Sequence, residues 1–392
     1  MPAQAIFFLS LAVLLSVPAC AVETLTFAHK PHPAAEAVNL SVSGHSLAQD
    51  SAGNRFFETI DGARYFIPKK NLLGESSDDL PFEAADSESM ARRLLSELPE
   101  GFRIHTTDHY VIAYSTSREY AEWTSSLLEG LYKVLVRYWR KQGVQLTEPE
   151  FPLPIIIHSS TASYNASAAK EGVGRGATGY YNQATNRVRM YDLTGSEELM
   201  ATVGRPRRGS RREITQMLAR PAAEPLIATI VHEATHQVCF NTGLMQRMTE
   251  LPLWLVEGMA VYFEAPEAGS SNGWRGIGKV NHRRLATFRR NLPEWNASSL
   301  TSLIGSDDRL RDPRTAGAAY ADAWALNYYL FKRKPKQYVA YVKELSEIGP
   351  LDGPPADETT EQRSRRRIER FTKHFGELEP IERDFLRTIT RL

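Results

Sequence analysis

Cysteine is nearly absent, with Cys20 and Cys239 alone in a chain of 392 residues. If Cys20 is removed or acylated, Cys239 stands by itself, and one cysteine closes no internal disulfide. Stability must then come from core size or a bound metal rather than from cross-links. An excess of either charge is missing too. The 47 Lys and Arg residues face 46 Asp and Glu, a net charge of +1. No whole-chain field therefore directs the protein to nucleic acid or to a membrane. No apolar run is long enough for a bilayer-spanning helix, so no integral membrane span is expected. No internal repeat is evident. With 42% hydrophobic and 24% charged residues, the composition is that of a globular protein.

The start of the chain reads as a secretory leader. No charged side chain precedes Glu23, the run from Ala5 to Val17 is apolar, and Ala19-Cys20-Ala21 fits a small-x-small cleavage site. Residues 1–21 are thus expected to be a signal peptide, and the protein to be exported. A second reading makes Cys20 a lipid-anchored residue after "VPA". Residues 22–80 are rich in short β-type runs, "LTFAHK", "AVNLSVSG", "RFFETI" and "RYFIPKKNLL", with a hairpin signal at Asp61-Gly62. They are predicted to form a small β unit of open-barrel type. His29, His32 and His45 within it show no ligand spacing. The acidic stretch Gly74 to Ser89 is read as a linker, and 81–104 as linker plus a helix from Ser87 to Leu98.

From 105 to 345 the pattern predicts a second, larger domain. His109 to Ser115 is a strand, and Arg118 to Gln142 a long amphipathic helix with Trp123, Leu127, Leu131, Val134, Leu135 and Tyr138 at helical spacing. Phe151 to His158 is a buried strand, which makes a strand-helix-strand crossover. Ala177 to Leu193 reads as a hairpin, and everything after Pro221 as helices. Residues 346–392 form a charged helical extension. Two basic clusters, Arg205, Arg207, Arg208, Arg211 and Arg212, then "RSRRRIER" (Arg363 to Arg370), are read as solvated loops that would otherwise meet an anionic envelope surface. The fold class expected is α+β: the β unit, a mixed-sheet lobe and a mainly helical lobe.

The chemistry concentrates at "HEATHQVCFNTG" (His232 to Gly243). Pro225 suits a first helical turn, and Leu226, Ile227, Ile230, Val231, Ala234 and Val238 supply a buried side, with Cys239 as a small buried hydrophobe. His232 and His236 fall one turn apart, offset by roughly 40° about the axis, so both imidazoles can face one ion. Glu233 lies about 100° from His232 and 60° from His236, where it flanks the ion without binding it. That is the placement of a base that takes a proton from a zinc-bound water. A catalytic zinc needs a third protein ligand and an open position. "LPLWLVEGMAVYFE" (Leu251 to Glu264) places Glu257 among apolar neighbours, where a carboxylate is costly unless it is paired or bound to a cation. Gly258 removes a side chain where two helices approach. Glu264, nearer the helix end, is the weaker ligand candidate.

"HEATHQVCFNTGL" followed by "PLWLVEGMAVYFE" resembles the gluzincin metallopeptidases, specifically a peptidase-MA-like group of uncharacterised exported bacterial proteins. The resemblance extends less specifically to "GWRGIGKVNHRRL" (Gly273 to Leu285) and "AAYADAWALNYYLF" (Ala318 to Phe331). It implies a zincin-like fold in which His232, His236 and Glu257 hold one Zn2+ ion and Glu233 is the general base. Tyr320 is the match to an oxyanion-stabilising tyrosine, with His282 or Arg283 as substitutes for it. A peptide or protein substrate would then add to the exposed sheet edge, taken to be the Arg187 to Leu193 arm. Two other functions fit the same residues. One is a non-catalytic envelope-binding or scaffold protein with a structural zinc site. The other is a zinc amidase acting on cell-envelope polymer.

Overall fold

The computed structural model describes residues 21–174, 176–195, 199, 210–265, 278–353 and 357–392. The leader with Cys20, the basic residues Arg205, Arg207 and Arg208, and Gly273 to Ile277 lie outside the described residues.

The chain folds as a mixture of strands and helices, with an N-terminal antiparallel sheet, a mixed sheet and a helical C-terminal region. The first sheet comprises β1 (Ala21–His29), β2 (Val38–Gln49), β3 (Arg55–Thr59), β4 (Arg64–Ile67) and β5 (Leu72–Pro81), in the order β4-β3-β2-β1-β5. Leu25, Phe27, Val42, Phe57 and Ile67 form its apolar side. The β3–β4 turn carries Gly62 at φ +77°, a backbone region that glycine enters without a steric penalty.

The sheet is open, with two edges, β4 and β5. One expectation for this region changes. The acidic stretch from Gly74, read as a linker, begins inside β5. Its backbone pairs with β1, Leu25 opposite Glu75 and Glu23 opposite Ser77, while its side chains face solvent. A one-sided edge strand needs little apolar residue content, so composition hides it.

The second sheet has the order β6-β7-β8-β10-β9, from β6 (Arg103–Thr106), β7 (Tyr110–Tyr114), β8 (Leu153–His158), β9 (Gly179–Asn182) and β10 (Arg187–Tyr191). The central strands β7, β8 and β10 are parallel, and β6 and β9 flank them antiparallel. Every residue of β7, β8 and β10 is buried, as parallel strands covered on both faces require. Alternate side chains divide between the faces. Val111, Ala113 and Ile156 meet Met90 and Leu94 of α1 (Ser87–Glu97). Ile112, Ile155, Ile157, Val188 and Met190 join the main core, with Leu128, Leu131 and Leu135 of α2 (Arg118–Lys141). A short α3 (Thr161–Lys170) follows β8. The Arg187 to Leu193 arm is therefore not the sheet edge, because β10 sits between β8 and β9. Arg187 and Arg189 are buried in pairs with Glu97 and Glu171, which is how arginines can alternate with Val188 and Met190 along a covered strand. The edge is β9.

The helical region contains α4 (Arg211–Leu218), α5 (Glu224–Asn241), α6 (Leu253–Phe263), α7 (His282–Asn291), α8 (Ser299–Gly305), a single turn (Asp308–Arg311), α9 (Ala316–Arg333), α10 (Pro335–Ser346), α11 (Thr360–Phe375) and α12 (Leu378–Thr390). "RSRRRIER" lies inside α11 and is not a loop. Thr359 and Gln362 form a capping box at its start, and Phe371 and Phe375 anchor its inner face. Arg367 on that face is buried, held by Glu250 and Asp307. Among the described residues no helix is long and apolar enough to cross a membrane.

Candidate metal centre

Helix α5 starts with Pro225 in its first turn and runs beneath the second sheet. Its rotation is fixed on the side away from the site. The Gln237 amide donates to the carbonyls of Pro154 and Asn186, at 3.1 and 2.9 Å. Asn241 and Asn186 exchange side-chain hydrogen bonds of 2.7 and 2.8 Å, and the Tyr181 hydroxyl donates to Asn186. Asn186 itself sits at φ +59° in the β9–β10 turn, a conformation that asparagine tolerates. With this face locked to the hairpin, His232 and His236 are presented to the cleft, and Glu233 stands between the two faces, against β9.

Helix α6 brings the third donor. His232 Nε2 lies 3.0 Å from Glu257 Oε2 and 3.1 Å from His236 Nε2, and His236 Nε2 is 3.5 Å from the same carboxylate oxygen. Zinc bonds of about 2.0–2.1 Å in a tetrahedron make ligand-to-ligand edges of about 3.3 Å. The three donors therefore converge on one point at the spacing that a small cation needs, and the group could hold a metal ion. The tautomer agrees. The other ring nitrogen of His232, Nδ1, lies 2.9 Å from Glu264 Oε2, and donation there leaves Nε2 with its lone pair free.

The same carboxylates also favour positive charge on the His232 ring. Burial pulls the His232 imidazole towards the neutral form, but its hydrogen bonds to Glu257 and Glu264 outweigh this and hold its pKa well above the ordinary value. Burial pushes Glu257 up, yet His236 and His232 together bring it well below the usual carboxylate range. The cluster is built around a positive charge. Glu233 differs. Burial raises its pKa above the ordinary value, the Glu257 charge adds to this, and His232 and His236 oppose it. Its Oε2 accepts a hydrogen bond of 2.8 Å from the backbone N–H of Tyr181 on the edge strand β9. The Glu233 carboxylate is therefore aligned by the strand that borders the cleft.

Tyr320 on α9 reaches the site, with its ring centroid 6.3 Å from that of His232. Its phenol is pushed well above its ordinary pKa, first by burial and then by the Glu257 carboxylate. It stays a proton donor at any working pH. The Arg284 guanidinium lies 5.5 Å from the Tyr320 ring centroid and 3.3 Å from Glu264 Oε1. All these groups except Glu264 and Arg284 line one cleft of about 550 Å3.

Three sequence expectations are revised here. Glu264 does not join the ligand set but holds the far nitrogen of His232. The signal for this was available, since Glu264 follows Glu257 by two helical turns and so shares its face. His282 and Arg283 are exposed at the start of α7 and do not line the cleft. The arginine that approaches Tyr320 is their neighbour Arg284, a difference of helical phase that a list of basic residues cannot reveal. The Tyr181 N–H, a main-chain group, leaves no residue-type signal at all.

The family described as a protein of unknown function (DUF1570) matches residues 226–352, which include both helices of the candidate triad and Tyr320. No curated protein matches the chain.

Proposed function

We propose that the protein is a zinc-dependent peptidase of gluzincin type that acts after export. The observation that carries this reading is an unliganded carboxylate, Glu233, held by an edge-strand N–H beside three convergent metal donors. A structural zinc site has four protein ligands and no use for an oriented base.

The donor set of two imidazoles and one carboxylate suits zinc. When bound there, the ion supplies Lewis acidity: it polarises a substrate carbonyl and lets an attacking water lose its proton near neutral pH. The chain does the rest. Glu233 takes that proton, and its raised affinity for it, set by burial, makes it a competent carrier. It then delivers the proton to the departing amine. Tyr320 remains protonated and offers its hydroxyl to the negative charge that develops on the carbonyl oxygen. Glu264, anchored by Arg284, keeps the His232 ring in orientation. The substrate backbone lies extended along β9, whose outer edge pairs with no further strand among the described residues.

The test is Glu233→Gln in the zinc-loaded protein. Metal content should stay stoichiometric while peptide cleavage falls by about 10²–10⁴-fold, the usual contribution of a positioned general base. Equal turnover by the two proteins would remove the assignment.

A further inference from the structure

The cleft does not end at the metal donors. Beyond them its wall passes to Glu250, Asp307, Arg311, Arg363 and Arg367. Four guanidiniums meet three carboxylates in this region, those of Arg311, Arg363, Arg366 and Arg367 against Glu250, Asp307 and Glu358. The acids are consumed by the inner arginines. Arg367, 3% exposed, donates from Nε to Glu250 at 2.8 Å and from both terminal nitrogens to Asp307 at 2.8 and 3.0 Å. Arg366 takes Glu250 with two bonds of 3.1 Å and Glu358 with bonds of 2.7 and 3.1 Å.

The outer arginines are left with capacity. Arg363 spends only Nε, on Glu358 at 3.2 Å, and its two terminal nitrogens have no hydrogen-bond partner among the described residues. Arg311 stands 3.7 Å from Asp307, beyond hydrogen-bond range, with its side chain 68% exposed. Both side chains border the cleft, one from α11 and one from the single turn before α9. The surplus positive charge of the wall thus resides on two guanidiniums that face the path of a substrate and have unused N–H groups.

We infer that this end of the cleft is a carboxylate-binding subsite, so that the preferred substrate carries an acidic side chain or a free chain end several residues from the scissile bond. The inference rests on the peptidase reading of the same cleft. Guanidinium and carboxylate planes match as a fork, and Arg367 buried behind them keeps Glu250 and Asp307 from repelling the incoming anion. A cationic residue at that position meets the two outer guanidiniums directly.

The experiment uses the full chain, zinc-loaded and carrying Glu233→Gln, so that bound peptide survives. Fluorescently labelled neutral peptides are compared with versions holding Glu or Gln at successive positions, each with a free or an amidated C-terminus, by anisotropy. A Glu-over-Gln preference of about tenfold at one position, independent of amidation, identifies a side-chain carboxylate. The same preference for the free C-terminus alone identifies the chain end. Arg311→Gln with Arg363→Gln should erase the difference, whereas Arg365→Gln, on the same helix but lining a different surface, should preserve it. Equal affinity across all arms, or no binding of any acidic peptide, overturns the subsite. Cleavage of these peptides by the parent protein is scored separately. Selective binding without cleavage would cost the peptidase reading and leave the subsite, and cleavage without selectivity would do the reverse.

Discussion

Replacing Gly258 by alanine tests the geometry of the site through a residue that supplies no donor of its own. An added Cβ would lie 2.0 Å from Asn327 Nδ2 and 2.5 Å from the Ala323 carbonyl oxygen on α9, where ordinary contact begins at 3.4 Å. Asn327 has nowhere to retreat. Its amide donates to the carbonyls of Trp254 and Ala323, at 2.9 and 2.8 Å, and its oxygen accepts from the Tyr338 hydroxyl. Helix propensity alone predicts that alanine stabilises α6 by about 1 kcal/mol. Overpacking costs about 1–3 kcal/mol, and a displaced buried amide about 1–3 kcal/mol more, so the net sign is destabilising. Relief requires α6 to move by roughly an ångström, well outside the ±0.2 Å tolerance of a metal site, and Glu257 moves with it. The expected result is a Tm lower by about 4 °C and a clear loss of zinc affinity in a chelator competition. A variant that melts with the parent and keeps its zinc would refute the claim that this helix crossing sets the ligand triangle.

Other perturbations probe separate parts of the argument. Glu264→Gln should weaken zinc binding by about 10–100-fold in calorimetry without unfolding the protein, because the change is confined to the carboxylate that partners His232 Nδ1 and Arg284. Unchanged affinity would make that contact incidental. Arg247→Met should cost about 3 kcal/mol in urea unfolding. It strips the buried Glu58 of a 3.0 Å partner and the Gly62 carbonyl of a 2.8 Å donor, while Arg64 remains on Glu58. A loss under 1 kcal/mol would show the link to be decorative. His158, 2% exposed, has its pKa pushed down to about 4 by burial and the nearby Arg189. The unfolded chain binds that proton first, so the stability it contributes is present above pH ~6.5 and is lost as pH falls towards 4. Between pH 7 and pH 5 the parent should lose about 2 kcal/mol more than His158→Gln, both measured in chelator. Parallel pH curves for the two proteins would contradict this.

What the sequence made legible was whatever depends on local period. His232, Glu233 and His236 are fixed relative to one another by one helix, and the apolar run around Glu257 marks a second helix with a buried acid. The structure brings those residues together. The long helix Arg118–Lys141 and the strands at Tyr110 and Leu153 were equally readable, since their apolar spacing is dictated by the core they face. What escaped depends on relations between elements. β5 is polar because only its backbone is used, and the place of β10 between β8 and β9 is set by backbone pairing that no residue of the strand announces. The basic run of α11 looked solvated because its acids, Glu250 and Asp307, lie far away in the chain.

The connection between α5 and α6 is anchored outside its own domain. Arg247 reaches from it into the N-terminal sheet, to Glu58 and Gly62, while Met248, at φ +61°, donates its N–H to Gln183 beside β9. The distance between the two imidazoles and their carboxylate partner is thus governed in part by a sheet that contributes no atom to the cleft. Loosening that sheet, by mutation or by a protease nick in the residues before 82, would be felt first as a slackened grip on the metal and only later as loss of the fold.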